Sequence, residues 1–153
     1  MVGIDLSGRT ALVIGGSRGI GEGITRLLCQ AGAHVAFTWT GRPEVSGRVQ
    51  ALLAEIRSAG GSVQAEAVDA RDFPATLSCA DGLLRTRGRI DVLVCNVGGN
   101  VARPVESLGP DEWTAGVALN LDSAFYAVRA VLPGMLAAGD FLEALCLAFY
   151  SLS

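Results

Sequence analysis

Apolar residues occur along this chain in short unbroken runs, separated by longer stretches in which they return every third or fourth position. Thr10-Ala-Leu-Val-Ile14 is such a run, ends at Gly15-Gly16, and predicts a buried strand. Ile20, Ile24, Leu27, Leu28 and Ala31 follow as a helical stripe stopped by Gly32. Residues 34–38 predict a second strand. Pro43 then stands near the start of a helix carrying Val45, Val49, Leu52, Leu53 and Ile56, closed by Gly60-Gly61. Residues 62–68 predict a third strand, Phe73, Leu77, Ala80 and Leu84 a third helix ending at Gly88, and residues 90–95 a fourth strand. Residues 96–109 are loop-like. Pro110-Asp111-Glu112 opens a long helix with Val117, Leu121, Phe125, Val128 and Leu132 on one face. Strands alternating with helices of this length predict βαβ units, a parallel sheet and an α/β fold.

Composition narrows the picture. The chain has 153 residues, which predicts one domain. Hydrophobic residues make up 50% and charged residues 18%, so disorder is excluded. Mean hydropathy is high at +0.43, yet no apolar run reaches the roughly 18 residues of a spanning helix, and no membrane association is expected. The N-terminus lacks a basic region followed by an apolar stretch, so no signal peptide is expected. The net charge of −3 gives no electrostatic footprint for nucleic acid or anionic lipid. Cys29, Cys79, Cys95 and Cys146 are widely spaced, so no metal site is expected. They read as reduced core thiols of a cytoplasmic protein. All 12 basic residues are arginine, so no step needing a lysine ammonium can be carried by this chain alone.

The segment Gly15-Gly-Ser-Arg-Gly19-Ile-Gly21 lies between the first strand and the first helix. Glycines let a backbone turn tightly and approach a ligand, and a helix N-terminus behind them offers free N–H groups to a pyrophosphate. A phosphate-binding P-loop is excluded because Glu22 stands where its lysine must be. A nucleophile elbow, Gly15-x-Ser17-x-Gly19, would make Ser17 the nucleophile of an α/β serine hydrolase. The single histidine, His34, begins a strand and follows Ser17 with only Glu22 as an acid between them, which disfavours that triad. A tight turn without a ligand is the remaining alternative.

Four separated features stand in one order: Gly15-x-x-x-Gly19-Ile20-Gly21, Asp69-Ala70, Asp91-Val-Leu-Val-Cys-Asn96-Val-Gly98, and Asn120 in the long helix. As a set they resemble the classical short-chain dehydrogenase/reductase (SDR) family, and within it the 3-oxoacyl-carrier-protein reductase type. The resemblance runs from about Leu6 to Gly139. It implies a Rossmann-like doubly wound parallel sheet, here incomplete, with an NAD(P)-binding region over 1–139 and a divergent tail over 140–153. It also implies roles. Gly15, Ser17, Arg18, Gly19, Ile20 and Gly21 would wrap the cofactor diphosphate and adenosine ribose. Asp69 would meet the adenine amino group with Ala70 beside the ring, and Asn96, Val97 and Gly98 would line the cofactor at the switch point. Asn120 would hold the water that relays protons. The bland alternatives are a strand-end turn for Asp69 and a helix kink for Asn120.

An NAD enzyme of this kind places an acid at the end of the second strand to take the ribose 2′-OH. Here that stretch, Phe37-Thr-Trp-Thr-Gly-Arg42, holds no acid, and Arg18 and Arg42 would attract a 2′-phosphate. NADP(H) is therefore expected over NAD(H). A small carbonyl or alcohol substrate is implied by the family. Ile14 stands where the family usually has Thr, and Cys95-Asn-Val-Gly replaces Asn-Asn-Ala-Gly. The larger departure concerns catalysis. The family uses a tyrosine as general acid/base, a lysine four residues on to lower its pKa, and a serine from the fifth strand. Tyr126 is followed at the fourth place by Ala130, Tyr150 has no fourth place after it, and the surroundings of Ser151 and Ser153 do not match a fifth strand. The sequence is thus expected to be the adenosine half of a reductase, truncated or shifted in frame beyond about residue 139 and inactive alone. A non-catalytic nucleotide-binding or assembly module is the alternative. An edge strand and a helix face left without partners would favour self-association through 111–138.

Overall fold

The computed structural model describes residues 3–99 and 103–139. Four parallel strands, β1 (Thr10–Ile14), β2 (His34–Trp39), β3 (Ser62–Ala67) and β4 (Val92–Cys95), form one sheet in the order β3-β2-β1-β4. The helices α1 (Gly19–Gln30), α2 (Pro43–Ser58) and α3 (Phe73–Arg87) make the crossovers. After β3 the chain returns to the far side of β1, where Ala11–Val92 through Ile14–Cys95 are in register. That reversal puts a crevice at the C-terminal ends of β1 and β4. The doubly wound parallel sheet of the sequence reading is the observed architecture, with four strands among the described residues.

Side chains of β1 alternate between two cores, which explains its unbroken apolar run. Leu12 and Ile14 pack with Cys79, Ala80 and Leu83 of α3 on one face, while Ala11 and Val13 pack with Val49, Leu52, Leu53 and Ile56 of α2 on the other. Helix ends follow local chemistry. The Asp72 carboxylate accepts from the Ala75 amide at 3.0 Å, and Gly88 closes α3 with φ +76°.

Two predicted helical stripes require correction. In α1 the buried residues are Gly21, Thr25 and Cys29, whereas Ile20 and Leu27 are 55% and 64% exposed. The predicted long helix is α4 (Pro110–Val117) and α5 (Ser123–Ala138), joined by a π-helical turn at Ala118–Asp122. Its core face is Ser123, Ala127, Ala130, Val131 and Met135, packed on α3 and β4, and Leu121, Phe125 and Leu132 point outward. Both helices lie so close to their supports that small residues face inward. A Cβ on Gly21 would stand 2.1 Å from the Gly15 carbonyl oxygen, and one on Gly16 would stand 2.7 Å from Thr25 Oγ1. Pro110–Ala138 is long and apolar enough by composition to cross a bilayer, with mean hydropathy 1.2. Run length missed it because Asp111, Glu112, Asp122 and Arg129 interrupt the apolar residues. Within it only α5 packs on α3 and β4, and 22% of the apolar window is buried.

Candidate functional site

The glycine loop is held from three sides. The Gly15 amide donates to Thr38 Oγ1 at 3.0 Å, and the Gly16 amide to the Thr38 carbonyl at 3.1 Å. Thr25 Oγ1 donates to the Gly16 carbonyl at 3.3 Å. From β4, Asn96 Nδ2 donates to the Gly15 carbonyl at 3.0 Å, and its amide donates to the Ile14 carbonyl at 3.0 Å. Gly15 has φ +83°, and a Cβ there would press on Val97 Cγ2 at 2.7 Å. Gly19 differs, because with φ +55° it has open space where a Cβ would stand. Arg18 is the N-cap of α1 and makes no side-chain cap.

Beside this loop lies a cleft of about 910 Å³ at the C-terminal ends of the strands. It is lined by Gly15, Ser17, Arg18, Gly19, Ile20, Arg42, Asp69, Ala70, Asn96, Val97 and Gly98, all singled out from the sequence. Gly21 lies beneath the loop, where its missing Cβ lets α1 close on Gly15. Thr38, Trp39, Thr40, Arg48, Val68, Arg71 and Leu119 also line the cleft, and the sequence reading gave none of them a role. Trp39 and Thr40 could have been found from their place at the end of β2. Arg48 and Arg71 carry no motif signal.

Charge in the cleft is unbalanced toward cations. Arg18, Arg42, Arg48 and Arg71 line it, with Asp69 the acid among its lining residues. Asp69 is itself engaged: Arg71 donates from Nε to Oδ1 at 3.0 Å and from Nη2 to Oδ2 at 2.6 Å, and the Arg71 amide donates to Oδ1 at 3.0 Å. The Arg71 side chain, then its amide, holds the Asp69 carboxyl below the usual range.

Asn120 sits in the π-helical turn, next to cleft-lining Leu119. Its Oδ1 accepts from the Gly99 amide at 3.0 Å, and its Nδ2 donates to the carbonyls of Gly99 at 2.7 Å and Gly116 at 2.9 Å. The side chain thereby fastens the segment after β4 to the helix. π-turns of this kind cluster at functional sites.

Ser17 and His34 do not meet. Thr10 is in register with His34, placing the histidine at the N-terminal end of the sheet, whereas Ser17 follows the C-terminal end of β1. His34 bonds instead with Ser62 Oγ at 2.7 Å and Gln64 Oε1 at 3.2 Å. The hydrolase alternative fails on this geometry. Tyr126 packs against Phe73 with ring centroids 5.4 Å apart. Cys29, Cys79 and Cys95 are buried, and burial pushes Cys29 up to about 11 and Cys79 up to about 12. Cys146, Tyr150, Ser151 and Ser153 lie outside the described residues.

The sequence profile of the short chain dehydrogenase family matches residues 9–140. This chain belongs to the short-chain dehydrogenase/reductase family. It is 33% identical over 135 residues to the 3-oxoacyl-acyl-carrier-protein reductase FabG of Chlamydia pneumoniae, covering 88% of this chain and 53% of that one. It is 34% identical over 133 residues to the D-beta-hydroxybutyrate dehydrogenase of Cupriavidus necator, covering 85% and 49%. Among solved structures, a metagenomic short-chain oxidoreductase in complex with NADP superimposes with TM-score 0.81 at 39% identity, covering 89% of this chain and 60% of that one. The chain spans about half the length of the curated relatives it matches.

Proposed function

We propose that this SDR chain is a nucleotide-binding unit that takes NADP(H) in preference to NAD(H), and that alone it binds the dinucleotide without turning over a carbonyl or alcohol substrate. One observation carries the preference: the cleft beside the glycine loop is lined by four arginines, while β2 ends in Trp39-Thr40-Gly41-Arg42 without a carboxylate. A carboxylate there would accept from a ribose 2′-OH and repel a 2′-phosphate, and guanidinium groups do the reverse.

The residues present fit such a group. The open space over Gly19 admits a diphosphate against the uncapped start of α1, with Gly15, Ser17, Ile20 and Gly21 shaping the turn. Arg18 and Arg42 line the cleft and would meet the ribose 2′-phosphate. Asp69 and Ala70 would border the adenine, and Asn96, Val97 and Gly98 form the cleft wall at the switch point. A bound nicotinamide supplies the hydride. Asn120 positions that wall through Gly99 and belongs to the family's proton-relay position. The family's tyrosine needs a neighbouring ammonium to work near neutral pH, and this chain contains no lysine. A reducing, cytoplasmic setting suits the buried thiols.

Titration of the purified 153-residue chain with NADPH and NADH tests this reading. Tighter binding of NADPH, with no NADPH oxidation across a panel of ketones, is expected. Tighter binding of NADH sinks the preference, and turnover sinks the claim of inactivity.

A further inference from the structure

The second helix brings to the cleft a cation that neither the glycine loop nor the end of β2 supplies. Arg48 of α2 lines the cleft, and its Nη2 donates to Glu22 Oε2 at 2.8 Å. Glu22, in the first turn of α1, also accepts at Oε1 from Arg26 Nε at 3.1 Å and Nη2 at 3.0 Å. Arg26 then forks onto Glu55 of α2 at 2.7 and 2.8 Å. The result is a strap of alternating charge, Arg48–Glu22–Arg26–Glu55, between the two helices.

The strap is asymmetric. Its Glu55 end borders a separate cleft with Cys29 and Gly61, and its Arg48 end borders the nucleotide cleft. The central Glu22 side chain is only 18% exposed and is shared by two guanidinium groups, with Arg48 the first cause holding its carboxyl below the ordinary value. An exposed ion pair adds little stability. Its geometric effect is larger, because a tethered long side chain loses less entropy when it meets an anion. A guanidinium carries five N–H donors, and among the described residues Arg48 uses one nitrogen, on Glu22.

We propose that Arg48 is a specificity-determining residue that meets a phosphate monoester on the adenosine ribose alongside Arg18 and Arg42, and that Glu22 is the positioning residue that orients it. The inference rests on the nucleotide reading of the cleft. It adds a contact from α2 that the loop and the strand end do not contain.

Calorimetric titration of the 153-residue chain with adenosine 2′,5′-bisphosphate and adenosine 5′-monophosphate tests it, since the two ligands differ only in the 2′-phosphate. Arg48→Gln is expected to weaken the bisphosphate about tenfold and leave the monophosphate unchanged. Arg48→Lys keeps a charge without the fork and is expected to lose about threefold. Glu22→Gln separates positioning from charge. If Glu22 orients Arg48, the bisphosphate binds more weakly; if it acts only as a nearby negative charge, the bisphosphate binds more tightly. Equal losses for both ligands, or no loss, in the Arg48 variants overturn the role of Arg48. Tighter or unchanged binding by Glu22→Gln overturns the role of Glu22. A wild-type chain that binds neither ligand overturns the nucleotide reading and this inference with it.

Discussion

Asp91 shows how one side chain ties strand ends together far from the cleft. Its carboxylate is 1% exposed and accepts from Arg89 Nε at 2.6 Å, the Thr10 amide at 2.8 Å and Arg9 Nη1 at 3.0 Å. Burial opposes its charge, but these three donors outweigh burial and hold the carboxyl below its ordinary value. A depressed folded-state pKa contributes stability above the unfolded value of about 3.9, and that stability is lost as pH falls through the folded value. Urea unfolding between neutral pH and pH 3 is therefore expected to show a fall in stability below about pH 4. Asp91→Asn should lower stability at neutral pH by about 2–3 kcal/mol, with the partial exposure of Arg9 and Arg89 keeping the cost below that of a fully buried pair, and should flatten the acid limb. An unchanged acid limb in the variant would count against this account. At this scale the sequence was informative where chemistry forces a residue type. Gly15 and Gly21 stood out because a tight turn and a close helix approach admit little else, whereas Asn96 was marked only by the family resemblance. Arg71 did not, because its fork onto Asp69 depends on a turn that only the fold creates.

The elements repeat one lesson. Strands buried on both faces must be continuously apolar, so β1 was legible with its observed bounds. The α2 stripe was legible too, because Val49, Leu52, Leu53 and Ile56 fill a wide gap over β1 and β2. The α1 and α5 stripes were misplaced, because close packing selects Gly, Ala, Ser and Thr, which apolar periodicity overlooks. Overpacking a tight interface costs about 1–3 kcal/mol. Ala127, fully buried on the inner face of α5, should thus tolerate Leu poorly. Ala127→Leu is expected to lower the unfolding free energy by that amount and so bring the urea midpoint down, while Ala138→Leu at the exposed end of the same helix leaves it in place. Equal midpoints for the two variants would show that the face assignment is wrong.

At the scale of the molecule, what remains uncovered matters most. Among the described residues β4 forms one edge of the sheet, and Trp113, Leu121, Phe125, Leu132 and Leu136 are exposed on the α4–α5 side. Exposed apolar side chains gathered on one side of the fold favour association. Phe125→Glu with Leu121→Glu is expected to shift the chain toward monomer in sedimentation velocity without loss of helicity. An unchanged distribution would place any association elsewhere. The amino-acid order by itself determined the α/β alternation, the parallel sheet and the glycine turn, because strand burial, helix period and positive φ each restrict residue type locally. Tertiary structure decided which helix faces are buried and which cations share a cleft. Those outcomes depend on how closely helices approach the sheet and on which side chains from α1, α2 and the β3–α3 turn converge in space, and no local pattern in the chain encodes either distance.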